Sequence, residues 1–315
     1  PTTLKPSLKQ LLLAGLIGLS SVVQANQDIV IWVNISPGGP TDQIARHVQN
    51  FVQPLTQGTV SVLYKPGAGG LLGMSQFAQT EPGNKIEVFV ANEQILIHRF
   101  LTKKLRDRDF VELDPVAYLG QTPFMLVTNT KSGLDSFRSL RDHQPVTVGL
   151  AGVGSFVHLI QVMLAKQVSF DLQGIQYQGT AKILPDLQGG HVRTALVFPG
   201  SVWPQIELGQ FKALAVSGSK RMPGLGQVPT FQELGLDVPQ GSFWAVFIKA
   251  KSEHKDRVQK LIHKALDSAQ SQDILRTRMF LTPNPGINLS QWWTQSIRDY
   301  QNLTTRYDFS SFLTD

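Results

Sequence analysis

The stretch IVIWVNISPGGPTDQIARHVQNFV, residues 29–52, contains the pattern that decides the fold. Residues 29–34 form a β-rich apolar run, and Ser36-Pro37-Gly38-Gly39-Pro40-Thr41-Asp42 interrupts it. Behind Thr41-Asp42, the residues Ile44, Val48, Phe51 and Val52 recur at helical spacing. Strand, glycine turn and helix in that order form the repeating unit of an open α/β sheet.

The same unit recurs on both sides of the chain. Residues 60–64 run into Lys65-Pro66-Gly67-Ala68-Gly69-Gly70 and a helix through Leu72 and Met74. Residues 146–150 run into Ala151-Gly152-Val153-Gly154-Ser155, with Val157, Ile160, Gln161 and Leu164 behind it. Further β-rich runs occupy residues 87–91, 124–128, 194–198, 211–217 and 243–248. Val258, Leu261, Ile262, Ala265 and Leu266 give another amphipathic helix, and Trp292, Trp293, Ile297 and Tyr300 a last one. The tryptophan pair reads as packing surface. The alternation predicts an α/β protein with largely parallel sheets.

At the start, Lys5 and Lys9 precede an apolar run from Leu11 to Val23 that ends in Val23-Gln24-Ala25. This is an export-signal pattern with cleavage expected near Ala25-Asn26, and the run is shorter than the ~20 residues that span a bilayer. Residues 1–25 are therefore expected to be a signal peptide and the protein periplasmic. The remaining chain suits two lobes. No repeat or low-complexity tether is present, so short crossover strands, at 124–130 and 239–244, are expected to join them. The expected division is 26–128 with 240–315 in the first lobe and 129–239 in the second.

The absence of cysteine excludes disulfides, thiol nucleophiles and thiolate metal sites. The net charge of +6 is spread without a dense basic run, which argues against nucleic acid and leaves a solvated surface that mildly attracts anions. His47, His98, His143 and His254 lack the paired spacing of a metal site. Neither a Walker pattern nor G-x-G-x-x-G is present, so no nucleotide cofactor is expected.

Each glycine turn is compatible with a plain tight turn, and each also fits an anion site. Glycine lets backbone approach a ligand, and a helix start presents unpaired N–H groups and positive potential. Thr41-Asp42 also suits a helix N-cap. Ser155 and His158 invite a hydrolase reading, but the chain lacks a G-x-S-x-G elbow and a third orienting group. Ser155 reads as a cap or ligand hydroxyl and His158 as a buried hydrogen-bonding residue. Tyr177-Gln178-Gly179-Thr180 supplies one more backbone-rich loop.

In order along the chain, these motifs are Pro37 to Asp42 with Ala45-Arg46, Pro66 to Gly70, and Gly152 to Ser155 with His158-Leu159. Ala213-Leu214-Ala215-Val216 then leads through Lys220-Arg221 to Val228-Pro229-Thr230 and Glu233-Leu234-Gly235. The set resembles the substrate-binding proteins of tripartite tricarboxylate transporters, the Bug family, from Ile29 to about Tyr307. The resemblance implies a type II-like periplasmic binding protein, a two-lobed Venus flytrap with two crossover strands. It implies a small organic carboxylate held by Ser36, Gly38, Gly39, Thr41, Asp42, Gly67, Ala68, Gly69 and Gly70. Gly152, Gly154, Ser155, His158, Tyr177, Gly179 and Thr180 would close over that ligand from the second lobe.

By the same resemblance the partner is a membrane permease, or a sensor kinase if the protein reports a bound acid. Neither enzyme activity, cofactor nor metal is implied. The chain departs from the family at Tyr64-Lys65 and at Glu81-Pro82-Gly83-Asn84. It departs again at Leu196-Val197-Phe198-Pro199, where relatives commonly carry an acidic residue near the ligand's far end. The last departure implies a more apolar distal side.

Overall fold

The computed structural model describes residues 27–81, 83–101, 112–307 and 309; the expected signal peptide, residues 1–25, lies outside them. The first sheet is built from β1 (Ile29–Val33), β2 (Val60–Tyr64), β3 (Ile86–Ala91), β4 (Leu113–Thr122) and β10 (Ser242–Lys249). The second is built from β5 (Met125–Asn129), β6 (Val146–Leu150), β7 (Leu172–Gln176), β8 (Thr194–Val197) and β9 (Phe211–Val216). Their strand orders, β2-β1-β3-β10-β4 and β7-β6-β8-β5-β9, follow one plan. In each, three mutually parallel strands are followed by an antiparallel strand that has crossed from the other lobe.

The sheets are therefore mixed rather than largely parallel. A strand arriving from the opposite lobe comes from the far side of the cleft and enters against its neighbours. The chain leaves β4 at Thr122 and enters β5 at Met125, so Pro123-Phe124 carries the first crossing and β5 belongs entirely to the second sheet. The return lies just before β10, which begins at Ser242.

Both faces of each sheet are covered. On the first sheet, Ile44, Ala45, Val48 and Val52 of α1 (Pro40–Val52) share a core with Val258, Ile262 and Leu266 of α7 (Lys255–Leu266). The opposite face buries Met74 and Phe77 of α2 (Leu71–Ala78) and Ile95 and Leu96 of α3 (Gln94–Leu101). Trp293 of α9 (Leu289–Arg306) completes that layer against Phe247, which confirms the packing role read for the tryptophans.

In the second lobe, α4 (Phe156–Gln167) buries Leu159, Ile160 and Leu164 on one face. On the other face, α5 (Thr180–Gly189) and α6 (Pro199–Glu207) bury Ile183, Leu187 and Val202. Each such side chain contributes about 1.5–3 kcal/mol of transfer free energy. The short helix α8 (Ala269–Thr277) follows α7. The core positions read from the helical spacing face inward, and the turns between strand and helix lie at the sheets' ends.

Candidate functional site

Three strands in each lobe run the same way, so their strand-to-helix turns share one edge of each sheet. In the first lobe these are the turns from β1 to α1, β2 to α2 and β3 to α3; in the second, those from β6 to α4, β7 to α5 and β8 to α6. The carboxyl edge of parallel strands is where α/β folds gather ligand-binding loops. Here the two edges face each other. A Cβ added to Gly69 would collide with the Val153 carbonyl, one on Gly154 would lie 2.8 Å from His98 Cε1, and one on Gly38 would lie 3.9 Å from Ala181 Cβ.

The first lobe fixes its turns with side chains. Asp42 accepts from the Gly38 amide at 2.8 Å through Oδ2, and from Arg46 Nε at 2.8 Å and Tyr64 OH at 2.5 Å through Oδ1. Burial alone would raise its pKa, but Tyr64, the Gly38 amide and Arg46 together hold the carboxyl below its usual value. Thr41 Oγ1 accepts from Trp244 Nε1 at 3.1 Å, so its hydroxyl ties α1 to β10. Asn34 Nδ2 donates to the Gly70 carbonyl at 3.2 Å. The Gly69 carbonyl accepts from Gln94 Nε2 and from His98 Nε2, the latter at 2.7 Å. Burial drives the His98 pKa down, so the ring is neutral and Nε2 carries the proton.

In the second lobe, Ser155 Oγ caps α4 by accepting from the His158 amide at 3.3 Å, and His158 Nδ1 accepts from the Gly154 amide at 3.1 Å. Burial lowers the His158 pKa to about 4, consistent with an imidazole that accepts at Nδ1. With Nδ1 on Gly154, and Oγ on the His158 main chain, the pair lacks the serine–imidazole hydrogen bond of a nucleophilic dyad. Tyr177 OH donates to Asp186 Oδ2 at 2.8 Å, and its amide donates to the Leu150 carbonyl at 2.9 Å.

The structure thus brings the segments 36–42, 67–70, 152–155 and 177–180 to one cleft, and it gives several of their side chains structural work. Asp42, Thr41, Ser155, His158 and Tyr177 hold the turns in shape, and Gly38 spends its amide on Asp42. Gly39, Ser36, Gly67, Ala68, Gly152, Gly179 and Thr180 offer main chain at the same edges. The first turns of α1, α4 and α5 leave main-chain amides without a carbonyl partner inside their helices, and in α4 Ser155 Oγ takes up the His158 amide.

Asn34, Glu93, Gln94 and His98 were not read as site residues. Their turn, Asn92-Glu93-Gln94, occupies the position after β3 that the glycine turns occupy after β1 and β2, but it contains no glycine to mark it. Glu93 is fully buried at this point and accepts from Ser242 Oγ at 2.5 Å and the Phe243 amide at 3.0 Å, where the chain returns to the first sheet. Desolvation raises its pKa to about 8.

Against this geometry, the family described as tripartite tricarboxylate transporter family receptor matches residues 44–300. The chain belongs to that family. This receptor is 27% identical to protein BugT of Bordetella pertussis over 268 residues, 82% of each chain. In fold it is similar to the periplasmic binding protein BugD, with a TM-score of 0.78 at 24% identity over 89% of this chain and 97% of that one. It is also similar to MatC of Rhodopseudomonas palustris with bound malate, with a TM-score of 0.76 at 23% identity over 88% and 98%. The two-lobed α/β binding-protein fold expected from the motifs is the fold observed. Among the described residues, no helix is long and apolar enough to cross a membrane and no cluster of potential metal ligands occurs.

Proposed function

We propose that this receptor captures a small organic carboxylate between its lobes and delivers it, as an exported periplasmic protein freed of residues 1–25, to a membrane permease. One observation carries this reading: the amide-rich starts of α1, α4 and α5 converge on a single cleft. Neutral N–H donors hold an anion there without a buried cation and its desolvation penalty. MatC, which is similar in fold, has bound malate, and this supports the class of ligand.

The lobes divide at Pro123-Phe124 and just ahead of Ser242, with β1 to β4 and β10 on one side and β5 to β9 on the other. Closure around the acid gives the permease a surface that the open form lacks, a population shift set by differential affinity. In this reading Ser155 and His158 serve the turn rather than a reaction, Ser155 Oγ accepting from the His158 amide and His158 Nδ1 from the Gly154 amide. A thermal-shift screen of organic acids tests the reading. An acid at 100 times its dissociation constant stabilises the fold by about 2.7 kcal/mol, whereas an unmoved melting temperature across mono-, di- and tricarboxylates contradicts it.

A further inference from the structure

We infer that Phe280 and Trp203 form a latch between the lobes: the Phe280 ring, held out from the first lobe, packs on Trp203 of the second as the cleft closes and slows release of the captured solute. The inference rests on the proposed capture by lobe closure, and it assigns that step two positioning residues outside the glycine turns.

Phe280 lies on a segment fixed to the first lobe. The Leu281 amide donates to the Leu275 carbonyl of α8 at 2.9 Å, and Thr282 exchanges both main-chain hydrogen bonds with Gln121 of β4, at 2.8 and 3.1 Å. Met279 and Leu281 pack into the first-lobe core on either side of Phe280. The Phe280 ring goes the other way and packs against the core of the second lobe. Its backbone explains the reversal, since its φ is +56°, a region that a bulky side chain enters only at steric cost. A chain that needed only to turn here would be served by glycine. The strain instead holds an aromatic ring out toward the opposite lobe.

Trp203, on α6, is placed to receive that ring by contacts of its own lobe. Its Nε1 donates to Glu207 Oε1 at 2.9 Å, one helical turn along. A Cβ on Gly224 would lie 3.2 Å from Trp203 Cη2, so glycine at that position leaves the indole its room. The two rings meet at 4.9 Å between centroids with 50° between their planes. The contact continues along main chain, because a Cβ on Gly200 of α6 would lie 3.1 Å from the Arg278 carbonyl.

These contacts coexist with the meeting of the cleft turns at Gly69 and Val153, so they belong to the arrangement in which the lobes are together. Parting the lobes leaves the backbone strain in place and returns both rings to water. Closure recovers apolar burial and an aromatic pair. The closed form thus gains a contact that makes no demand on the solute, and the population shifts toward it.

Calorimetry and stopped-flow kinetics with butyrate, malate and citrate test the latch. Phe280→Gly is the sharpest variant, because glycine adopts this φ without strain and only the ring is lost. It is expected to leave the melting temperature of the ligand-free protein unchanged or higher. Each acid that the wild-type protein binds is expected to bind about tenfold more weakly, through faster dissociation. Trp203→Ala is expected to weaken binding likewise, the double variant to lose no more than either single one, and Phe280→Leu to recover most of the affinity.

Unchanged affinity in folded Phe280→Gly or Trp203→Ala protein, or losses that add in the double variant, overturns the latch and leaves the carboxylate-receptor reading intact. If one of the two variants does not fold, the other decides. Wild-type protein that ignores all three acids and saturably binds a solute lacking a carboxylate overturns the carboxylate reading, and the same variants measured with that solute then decide the latch. Wild-type protein that binds neither kind of solute overturns both.

Discussion

The two lobes share a strand order and differ in how they hold the loops that face the cleft. In the first lobe the supports come from other elements: Tyr64 of β2 reaches Asp42, and Gln94 and His98 of α3 reach Gly69. In the second they come from within a few residues, as Ser155 and His158 serve their own turn and Asp186 of α5 serves Tyr177. The first lobe is a seat whose turns are tied by side chains from neighbouring elements, and the second is a cover whose turns are tied mostly by side chains of their own strand-turn-helix unit. Preorganising one side lowers the ordering cost of binding while leaving the other side free to close.

Two glycines with the same φ of +97° give the sharpest way to break this comparison. Gly70 abuts Asn34, whereas an added Cβ at Gly179 meets nothing within 4 Å. Gly70→Ala is expected to lower stability by about 3 kcal/mol, combining backbone strain with overpacking. Gly179→Ala carries the strain alone, about 1–2 kcal/mol. Equal losses in denaturant melts would show that the seat is no tighter than the cover. Next in size is Asp42→Ala, which removes the shared acceptor of the Gly38 amide, Arg46 and Tyr64 and is expected to cost about 2 kcal/mol, together with weaker binding of any acid that the wild-type protein holds.

Acidity separates the lobes as well. Glu93 rises from its ordinary value of 4.5 to about 8 in the fold, so the native state binds a proton that the unfolded chain has released. Its contribution is full below pH 4.5 and is lost as pH rises through about 8, with a slope of up to roughly 1.4 kcal/mol per pH unit. Glu93→Gln is expected to flatten the alkaline side of the stability profile, whatever its offset at neutral pH. An unchanged slope would mean that Glu93 is ionised in place. The smallest effect is in the cover, where Ser155→Ala removes a cap and is expected to cost about 1 kcal/mol without altering which acids bind.

Most of the fold was legible because its parallel strands and helices carry strong periods. β4 and β7 were not. β4 carries Pro115 and Gly120, tolerated because it lies at a sheet edge, and β7 is a short polar edge strand, Leu-Gln-Gly-Ile-Gln, with too little apolar surface to mark it. The antiparallel entry of β5 and β10 was hidden for another reason, since strand direction depends on which lobe the chain comes from and no residue records it. In the cleft, glycine marked four turns that lie at the facing sheet edges, and at one of them Gly69 comes up against the Val153 carbonyl of the other lobe. Glycine was silent on the β3 turn, where Glu93 and His98 are distinguished by burial, a property of the assembled lobes.

The most direct test of the central claim is a ¹⁵N–¹H amide titration of the labelled protein with an acid that it binds. Saturable shifts are predicted at Gly39, Thr41 and Asp42 of the seat and at Gly152, Gly179 and Thr180 of the cover, all following one binding curve. Shifts that saturate elsewhere while these six amides stay still would contradict a carboxylate held by the facing helix starts.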